Sequence, residues 1–311
     1  MRGIVTKSTG SWYEVRTEKG DTLLCRLRGQ FRIKGIKTTN PVVVGDRVTF
    51  IIEKDNSGYI THIELRTNYI ERKSTKLSKI SHLIAANIDL AFLVVTLKEP
   101  PTSLGFIDRF LIAAESYRIP VCLIFNKIDL YNAQEMTILT EWQQLYEAVG
   151  YQTLQTSIPN MVGVEELKTL MCNKVSLFSG HSGTGKSALI NTIDPTFKLK
   201  IGAISHYHNK GMHTTTFAQM YPLPTGEYII DTPGIKEFGL IQYSKAEIRD
   251  YFPEIRAYNN CCKFQNCLHV HEPACAVRQA AEEGKIAPSR YANYLAILHD
   301  EDLKLADWQL R

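Results

Sequence analysis

The sequence predicts a central α/β domain with a parallel sheet, preceded by a small β-barrel and followed by a short helical segment rich in metal ligands. Three observations lead to this fold class. Short alternating segments fill residues 1–72, long apolar segments and helical patterns fill residues 73–240, and four of the seven cysteines fall between Cys261 and Cys275. At 311 residues the chain is long for one hydrophobic core. We therefore predict three domains, over residues 1–72, 73–240 and 241–311.

The first 72 residues contain five or six short strand patterns separated by turns rich in Gly, Asn and Asp. This spacing predicts a small β-barrel, with an OB-fold as the leading choice. Residues 1–73 hold 14 Lys and Arg against 8 Asp and Glu. Five of these cations cluster around the central strand and its following loop: Arg26, Arg28, Arg32, Lys34 and Lys37. Such barrels often bind nucleic acid at this place, but a solvated charged face would explain the cluster equally well.

The central domain begins with apolar patterns typical of buried parallel strands. Residues 85–96 read as one such strand, a helical pattern follows around residues 107–115, and Val121 to Phe125 reads as the next strand. Strand, helix and strand in this order predict a right-handed crossover and an α/β domain.

Residues 180–187, Gly-His-Ser-Gly-Thr-Gly-Lys-Ser, follow an apolar run and precede a helical pattern. They fit the strand, glycine-rich loop and helix of a P-loop that binds nucleoside triphosphates. Lys186 is expected to contact the outer phosphates, and Ser187 to bind Mg²⁺. Backbone N–H groups of the loop would surround the phosphates. The predicted contacts are Gly180, Ser182, Gly183, Thr184, Gly185, Lys186, Ser187 and Ala188. A surface loop rich in Gly and Ser is the alternative.

A second motif, Asn126-Lys127-Ile128-Asp129, follows the second buried strand. A carboxylate at Asp129 can accept hydrogen bonds from N1–H and the exocyclic amine of guanine, whereas N1 of adenine carries no proton. Asp129 therefore favours GTP over ATP and disfavours an ATPase or a kinase. Helix N-capping by Asp129 is the alternative. Ser157, at the end of a further predicted strand, is expected to support the base through its hydroxyl or its backbone.

Two later segments complete the predicted nucleotide site. Thr215 lies in a polar stretch and is expected to reach Mg²⁺ and the γ-phosphate, as part of a switch that GTP orders. Asp231 and Gly234 follow a strand pattern, so that Asp231 would hold Mg²⁺ through water and the Gly234 amide would contact the γ-phosphate. Ile235 stands where many GTPases carry a glutamine that orients water. We predict that His213 supplies the missing catalytic group, with a solvated switch histidine as the alternative.

The order of these motifs is unusual, because the guanine motif precedes the P-loop by about fifty residues. The same sheet forms if the termini of an ordinary GTPase are joined and the chain is cut after residue 234. The order therefore predicts a circular permutation, which surface termini allow.

The cysteine cluster favours a metal site in a reducing compartment over a disulfide framework. Cysteine and histidine suit a closed tetrahedral Zn²⁺ site, which would stabilise a region with little core of its own. Cys261 competes with Cys262 for one ligand position, and His269 competes with His271. Spacing leaves both choices open, and reduced buried cysteines without a metal are the alternative.

The chain resembles the ribosome small-subunit-dependent GTPase A family (RsgA, also called YjeQ) over essentially its whole length. The resemblance rests on the barrel, the order of the motifs, the segment Gly-x-His-Thr-Thr-Thr and the spacing Cys-x4-Cys-x-His-x5-Cys. The resemblance implies GTP and GDP with Mg²⁺. It also implies one structural Zn²⁺, with the ligands Cys262, Cys267, His269 and Cys275. Met212 departs from the family, which usually has Arg there, and Ile158 replaces the common Ala after Ser157.

The family resemblance further implies a cytoplasmic factor that acts late in assembly of the small ribosomal subunit, binds its rRNA and is stimulated by it. The absence of any run of about 18 apolar residues and of an apolar signal core agrees with a cytoplasmic protein. We expect a monomer with no membrane or DNA partner. A GTPase acting on another structured RNA or assembly partner, and a non-catalytic RNA-binding protein, are the alternatives.

Overall fold

The computed structural model describes residues 1–27, 41–53, 57–73, 81–195, 218–223, 226–231 and 243–299. The chain divides into two compact units. The first comprises Met1–Phe92, Val164–Ser179 and Ser187–Ile235, and the second comprises Leu93–Gly163, Gly180–Lys186 and Lys236–Arg311.

The strands, in chain order, are β1 (Arg2–Ser8), β2 (Tyr13–Thr17), β3 (Thr22–Leu27), β4 (Arg47–Ile52), β5 (Gly58–Ile63), β6 (Tyr69–Lys73), β7 (Ser81–Ala86), β8 (Leu90–Val95), β9 (Val121–Asn126), β10 (Gln152–Thr156), β11 (Val175–Ser179), β12 (Gln219–Pro222) and β13 (Tyr228–Asp231). The helices are α1 (Leu104–Ser116), α2 (Ala133–Val149), α3 (Val164–Met171), α4 (Lys186–Ile193), α5 (Lys245–Asp250), α6 (Pro253–Asn259), α7 (Ala276–Glu282) and α8 (Pro288–Leu298). None of these helices is both long enough and apolar enough to cross a membrane.

The first unit opens with a closed barrel of five strands in the order β1-β2-β3-β5-β4, which β1 closes by pairing with β4. Strands β3 and β5 run parallel, and the other barrel pairs are antiparallel. Alternation of apolar and polar residues places one face of the strand inside, as in β2, where Tyr13 and Val15 are buried and Glu14 and Arg16 are half-buried. The predicted OB-like barrel is confirmed.

The strand predicted over residues 85–96 is wrong in one respect, because the chain breaks between β7 and β8. Asn87 adopts a left-handed backbone with φ of 55°, which Asn tolerates better than most residues. Its side-chain amide donates to Gly45 O at 2.9 Å, and its amide oxygen accepts from Thr67 N at 2.9 Å. The barrel segments therefore hold the chain at this break. The three-domain division stays a prediction, and its first boundary falls within β6.

The first unit also contains an antiparallel pair, β6 with β7, and a part of the larger sheet that is formed by β11, β13 and β12. Strand β11 pairs in parallel with β13, and β12 pairs antiparallel with β13. Strand β12 also pairs with β1, where Lys7 lies opposite Gln219. The barrel therefore continues into the sheet whose strand β11 leads into the glycine-rich loop.

In the second unit, β9 pairs in parallel with β10, and every residue of β9 is buried. Burial on both faces is typical of a parallel sheet, as the sequence predicts for this strand. Helix α1 starts at the N-cap Ser103, whose hydroxyl accepts from Phe106 N. Helix α2 starts with a capping box formed by Asn132 and Glu135, and it ends at Gly150.

The C-terminal helices α5 to α8 form their own apolar cluster in the second unit, and Ile112 of α1 belongs to it. Phe252 and Tyr294 pack edge to face within this cluster, with ring centroids 5.5 Å apart. Each such buried aromatic contributes roughly 1.5–3 kcal/mol through burial of its apolar surface. The C-terminal helices are thus packed against the α/β part of the same unit.

Candidate nucleotide site and candidate metal centre

The glycine-rich loop joins β11 to α4, and its conformation depends on glycine. Gly180, Gly183 and Gly185 have φ of 136°, 89° and 95°. A Cβ atom at Gly180 would lie 2.2 Å from Val94 O, and one at Gly185 would lie 2.3 Å from Asn126 Nδ2. The loop backbone therefore approaches its neighbours more closely than any side chain permits.

Carbonyl groups within the loop hold the lysine that is predicted to bind phosphate. Lys186 Nζ donates to Gly180 O and to His181 O, both at 2.6 Å. The Thr184 hydroxyl donates to His181 O at 3.0 Å. The ammonium group is thus positioned by the loop itself. Ser187 and Ala188 follow in the first turn of α4, and Ser182 is exposed in the loop.

Asn126, the last residue of β9, connects the guanine motif to the glycine-rich loop. Its Nδ2 donates to Thr184 O at 2.8 Å, and its Oδ1 accepts from the Thr156 hydroxyl at 2.8 Å. The side chain of Asn126 is fully buried, where water cannot supply hydrogen bonds. These two protein partners therefore satisfy both ends of its amide. Asn126 therefore links the glycine-rich loop, through its amide nitrogen, to the end of β10, through its amide oxygen.

Asp129 is exposed and lies in a short 3₁₀ turn, Ile128–Leu130. Its carboxylate accepts a hydrogen bond from the Ser157 hydroxyl at 2.6 Å. Helix capping by Asp129 is excluded, because the N-cap of α2 is Asn132. Ser157 orients the carboxylate, which adds a role to the base support that the sequence predicted.

Lys127 adopts a left-handed backbone with φ of 64°, and its ammonium group donates to Glu99 O at 2.6 Å. Glu99 precedes Pro100 in a cis peptide bond, and Pro100 would be the nearest neighbour of any side chain at Gly183. The loop after β8 therefore lies beside both nucleotide motifs. Sequence patterns do not mark Glu99, Pro100 or Thr156 as parts of this site.

Four of the predicted ligands converge at the C-terminal end of the chain. The ligand atoms of Cys262, Cys267, His269 and Cys275 all lie within 4.8 Å of one another. His269 Nδ1 lies 3.6 Å from Cys262 Sγ and 3.4 Å from Cys275 Sγ, and these two sulfur atoms are 3.9 Å apart. Ligands of a tetrahedral zinc ion lie about 3.5 Å apart for N to S and about 3.8 Å apart for S to S. The donor set therefore fits Zn²⁺.

The histidine is oriented by a partner outside the ligand set. His269 Nε2 lies 2.9 Å from Asn259 Oδ1, and Asn259 Nδ2 donates to Asp250 Oδ1 at 2.8 Å. Because an amide oxygen only accepts, Nε2 carries the proton and Nδ1 keeps its lone pair toward the sulfur atoms. Cys261 is exposed and free, and neither it nor His271 belongs to the group of four. Asn259 carried no sequence signal, since it lies outside the cysteine segment.

Glu272 shapes the loop between the ligands. Its carboxylate accepts from the backbone N–H groups of Leu268, Val270 and His271 at 2.7, 2.9 and 3.1 Å. Burial alone would raise the pKa of Glu272, but these hydrogen bonds outweigh it and lower the pKa to about 2. The ionised carboxylate thus fixes the turn that presents His269.

Several predicted residues lie outside the part of the chain that the structure describes. These are His213, Thr215, Gly234, the side chain of Asp231, and four cations of the barrel, Arg28, Arg32, Lys34 and Lys37. The fifth cation, Arg26, is exposed on β3, with its guanidinium carbon 3.6 Å from the centroid of the Trp12 ring.

Comparison with known proteins covers nearly the whole chain. The model of the RsgA GTPase family matches residues 63–241, and that of the RsgA N-terminal domain matches residues 2–60. The small ribosomal subunit biogenesis GTPase RsgA 2 of Bacteroides thetaiotaomicron is 52% identical over 302 residues, which are 97% of each chain. This chain belongs to the RsgA GTPase family. The family resemblance drawn from the sequence is thereby confirmed, and the chain is a GTP-hydrolysing enzyme.

Other RsgA relatives also match nearly the whole length of this chain. The small ribosomal subunit biogenesis GTPase RsgA of Flavobacterium johnsoniae is 51% identical over 305 residues, which are 97% of this chain and 94% of that protein. The crystal structure of YjeQ from Thermotoga maritima is 35% identical, with a TM-score of 0.78 over 96% of this chain and 97% of that one. That of YloQ, a circularly permuted GTPase, is 28% identical, with a TM-score of 0.75 over 96% and 94% of the two chains. This chain has the motif order of a circularly permuted GTPase.

Proposed function

We propose that this RsgA GTPase acts in assembly of the small ribosomal subunit, binds the rRNA of that subunit, and hydrolyses GTP when it is bound there. Relatives named as small ribosomal subunit biogenesis GTPases match 97% of the chain at about 50% identity. The geometric support comes from Asn126, which joins a P-loop and a guanine motif in the order of a permuted GTPase. We place the protein in the cytoplasm, as a monomer without membrane or DNA partners.

The described residues support distinct roles in holding GTP or GDP. Asp129, oriented by Ser157, would accept hydrogen bonds from guanine. The loop from Gly180 to Gly185 and the first turn of α4, with Ala188, would surround the phosphates with N–H groups. Lys186 would exchange its two carbonyl partners for phosphate oxygens. The left-handed Lys127 would pack beside the nucleotide.

The remaining roles are inferred from sequence position. Ser187, Thr215 and Asp231 would hold Mg²⁺, and the Gly234 amide would contact the γ-phosphate. His213 would orient the attacking water, since Ile235 has no polar group for this task. Such groups raise GTPase rates only when they are correctly placed, which explains a slow enzyme that depends on its partner.

One structural Zn²⁺ would be bound by Cys262, Cys267, His269 and Cys275. The support is the distance fit of the donor atoms and the orientation of His269 by Asn259. The ion would hold the two ends of the segment from 262 to 275 together. It takes no part in hydrolysis.

The experiment that tests the proposed function is GTP hydrolysis by the purified protein alone, with purified small subunits, and with large subunits at the same salt concentration. We expect slow turnover alone and a stimulation of about 10²-fold or more by small subunits only. Equal stimulation by large subunits or tRNA would favour another structured RNA as partner. Tight GTP binding with no turnover under any condition would favour a non-catalytic RNA-binding protein.

A further inference from the structure

The N-terminal end of helix α1 contacts the glycine-rich loop. The Phe106 ring stacks on the imidazole of His181, with centroids 3.8 Å apart and planes at 31°. The carbonyl group of His181 accepts from Lys186 Nζ at 2.6 Å and from the Thr184 hydroxyl at 3.0 Å. Any displacement of α1 relative to the loop therefore acts on the residue that positions Lys186.

Two residues further along the same helix, Asp108 is fully buried. Its Oδ1 accepts from Arg290 Nη1 at 2.5 Å and from the Tyr146 hydroxyl at 2.9 Å, while its Oδ2 accepts from Asn293 Nδ2 at 2.6 Å. Arg290 also makes a bidentate pair with Glu254, at 2.6 and 3.1 Å. Because separation would leave buried charges uncompensated, these contacts hold α1 firmly to the C-terminal helices α6 and α8.

Helix α8 continues this path to the cysteine and histidine cluster. Next to Arg290, the hydroxyl of Tyr291 donates to His269 O at 2.6 Å, and that of Tyr294 donates to Leu268 O at 2.7 Å. Helix α8, which also carries Arg290, thus holds the backbone carbonyl groups of both Leu268 and His269.

We propose that α1 couples the P-loop to the C-terminal Cys/His loop, with the Phe106–His181 stack and the Arg290–Asp108 ion pair as its two connections. The inference rests on the proposed nucleotide site. Without nucleotide, Lys186 binds the carbonyl of His181, and on the proposed function phosphate oxygens would replace that carbonyl. The carbonyl of His181 would then lose its hydrogen bond from Lys186, and a shift of His181 would act directly on the ring of Phe106. Arg290 is then a positioning residue, and by thermodynamic reciprocity whatever binds the C-terminal loop alters nucleotide affinity.

The test is hydrogen–deuterium exchange of the full-length protein with and without GDP, followed by mass spectrometry. We expect slower exchange in the P-loop, and also a change of about fivefold or more in the amides of residues 266–272, as an allosteric coupling of ordinary size gives. Phe106→Leu keeps an apolar side chain but removes the ring. Arg290→Met removes the ion pair. In both variants the P-loop should still be protected, and the remote change should fall below about twofold.

Arg66→Met is the matched control, because Arg66 forms a similar ion pair with the fully buried Asp46 at 2.7 Å, away from this path. It should keep the remote response. If Arg290 were only structural, its replacement would speed exchange equally with and without GDP, and the ratio would stay as in the parent protein. That result, or a full remote response in Phe106→Leu, would overturn the proposal.

Exchange in the P-loop and exchange in residues 266–272 distinguish failure of the nucleotide site from failure of the coupling. Absence of any P-loop protection by GDP would overturn the proposed nucleotide site together with the coupling. Protection of the P-loop with no change in residues 266–272 of the parent protein would leave the nucleotide site standing and overturn the coupling alone.

Discussion

At the scale of single residues, a few buried polar side chains determine the geometry of the proposed nucleotide site. Asn126 satisfies the carbonyl of Thr184 and the hydroxyl of Thr156 at once, so it fixes two chain segments that are remote in sequence. Ser157 holds Asp129 in one orientation. The guanine contact proposed for Asp129 would therefore be oriented before binding, which lowers the conformational entropy lost on binding.

Asp129→Asn should change the base that the protein prefers. Asparagine offers one acceptor and one donor, which match xanthine and not guanine. Each hydrogen bond to a charged group contributes about 1.5–3 kcal/mol, so GTP affinity should fall by roughly 10²- to 10⁴-fold. Competition by GTP, XTP and ATP against a fluorescent guanine nucleotide measures this. Unchanged preference for GTP would show that Asp129 does not contact the base.

Gly185→Ala should weaken nucleotide binding by a clash with Asn126, which cannot move because both ends of its amide are hydrogen-bonded. Losing one of those buried hydrogen bonds predicts a decrease of about 5- to 150-fold. Gly150→Ala is the control, since Gly150 has a similar φ of 103° but open space around it. Equal loss of affinity in both variants, measured by titration, would attribute the effect to backbone strain instead.

His213→Ala should remove most of the GTP turnover that small subunits stimulate, because it removes the group proposed to orient water. The affinity for GTP should change little, since the base and phosphate contacts remain. Comparing single-turnover rates with nucleotide dissociation constants separates the two effects. Full stimulated turnover in the variant would assign the water to another group.

At the scale of elements, the segment from residue 262 to 275 takes its shape from side chains around it. Glu272 fixes its amides, Asn259 orients His269, and the guanidinium of Arg249 donates to Gln265 O and Cys267 O. The four candidate ligands are therefore held close together by contacts with residues outside the group of four. A metal ion bound there would add to an existing arrangement.

Cys275→Ser should abolish zinc binding, whereas Cys261→Ser should retain it, because Cys261 is exposed and outside the group of four. Zinc content measured by mass spectrometry should be about one ion per chain in the parent and in Cys261→Ser. The loss in free energy of unfolding for Cys275→Ser is bounded by the roughly 10–16 kcal/mol of structural zinc sites. Equal zinc content in both variants would contradict the assigned ligands.

At the scale of the whole molecule, positive charge is concentrated at the N-terminal end. Residues 1–73 carry 14 Lys and Arg against 8 Asp and Glu, while the net charge of the chain is +4. The barrel thus carries the excess of positive charge, and the remainder of the chain is slightly acidic. Such a distribution favours RNA as the partner of the barrel.

Affinity for the small subunit should therefore fall steeply with salt, by roughly tenfold or more between about 50 and 200 mM, since phosphate contacts release counterions. GTP affinity at fixed Mg²⁺ should change much less. Sedimentation with subunits and nucleotide titration at matched salt concentrations give the two slopes. Similar salt dependence of both would argue against phosphate contacts by the barrel.

The sequence by itself determined the family, the permuted order, the nucleotide motifs and the barrel, because each depends on local spacing. A glycine-rich loop needs its glycines where the backbone turns, and strands show their period within a few residues. Spacing leaves the ligand choice between Cys261 and Cys262 open, and the family resemblance favours Cys262.

Only the tertiary structure decided which side chains remote in sequence meet. Asn132 caps α2 where Asp129 was a candidate, and Asn87 breaks a strand that its apolar pattern predicted to continue. Arg290 reaches Asp108 across 182 positions. A buried ion pair of this kind leaves no periodic signal in the sequence, because its partners are selected by packing and by the cost of leaving a buried charge without a partner.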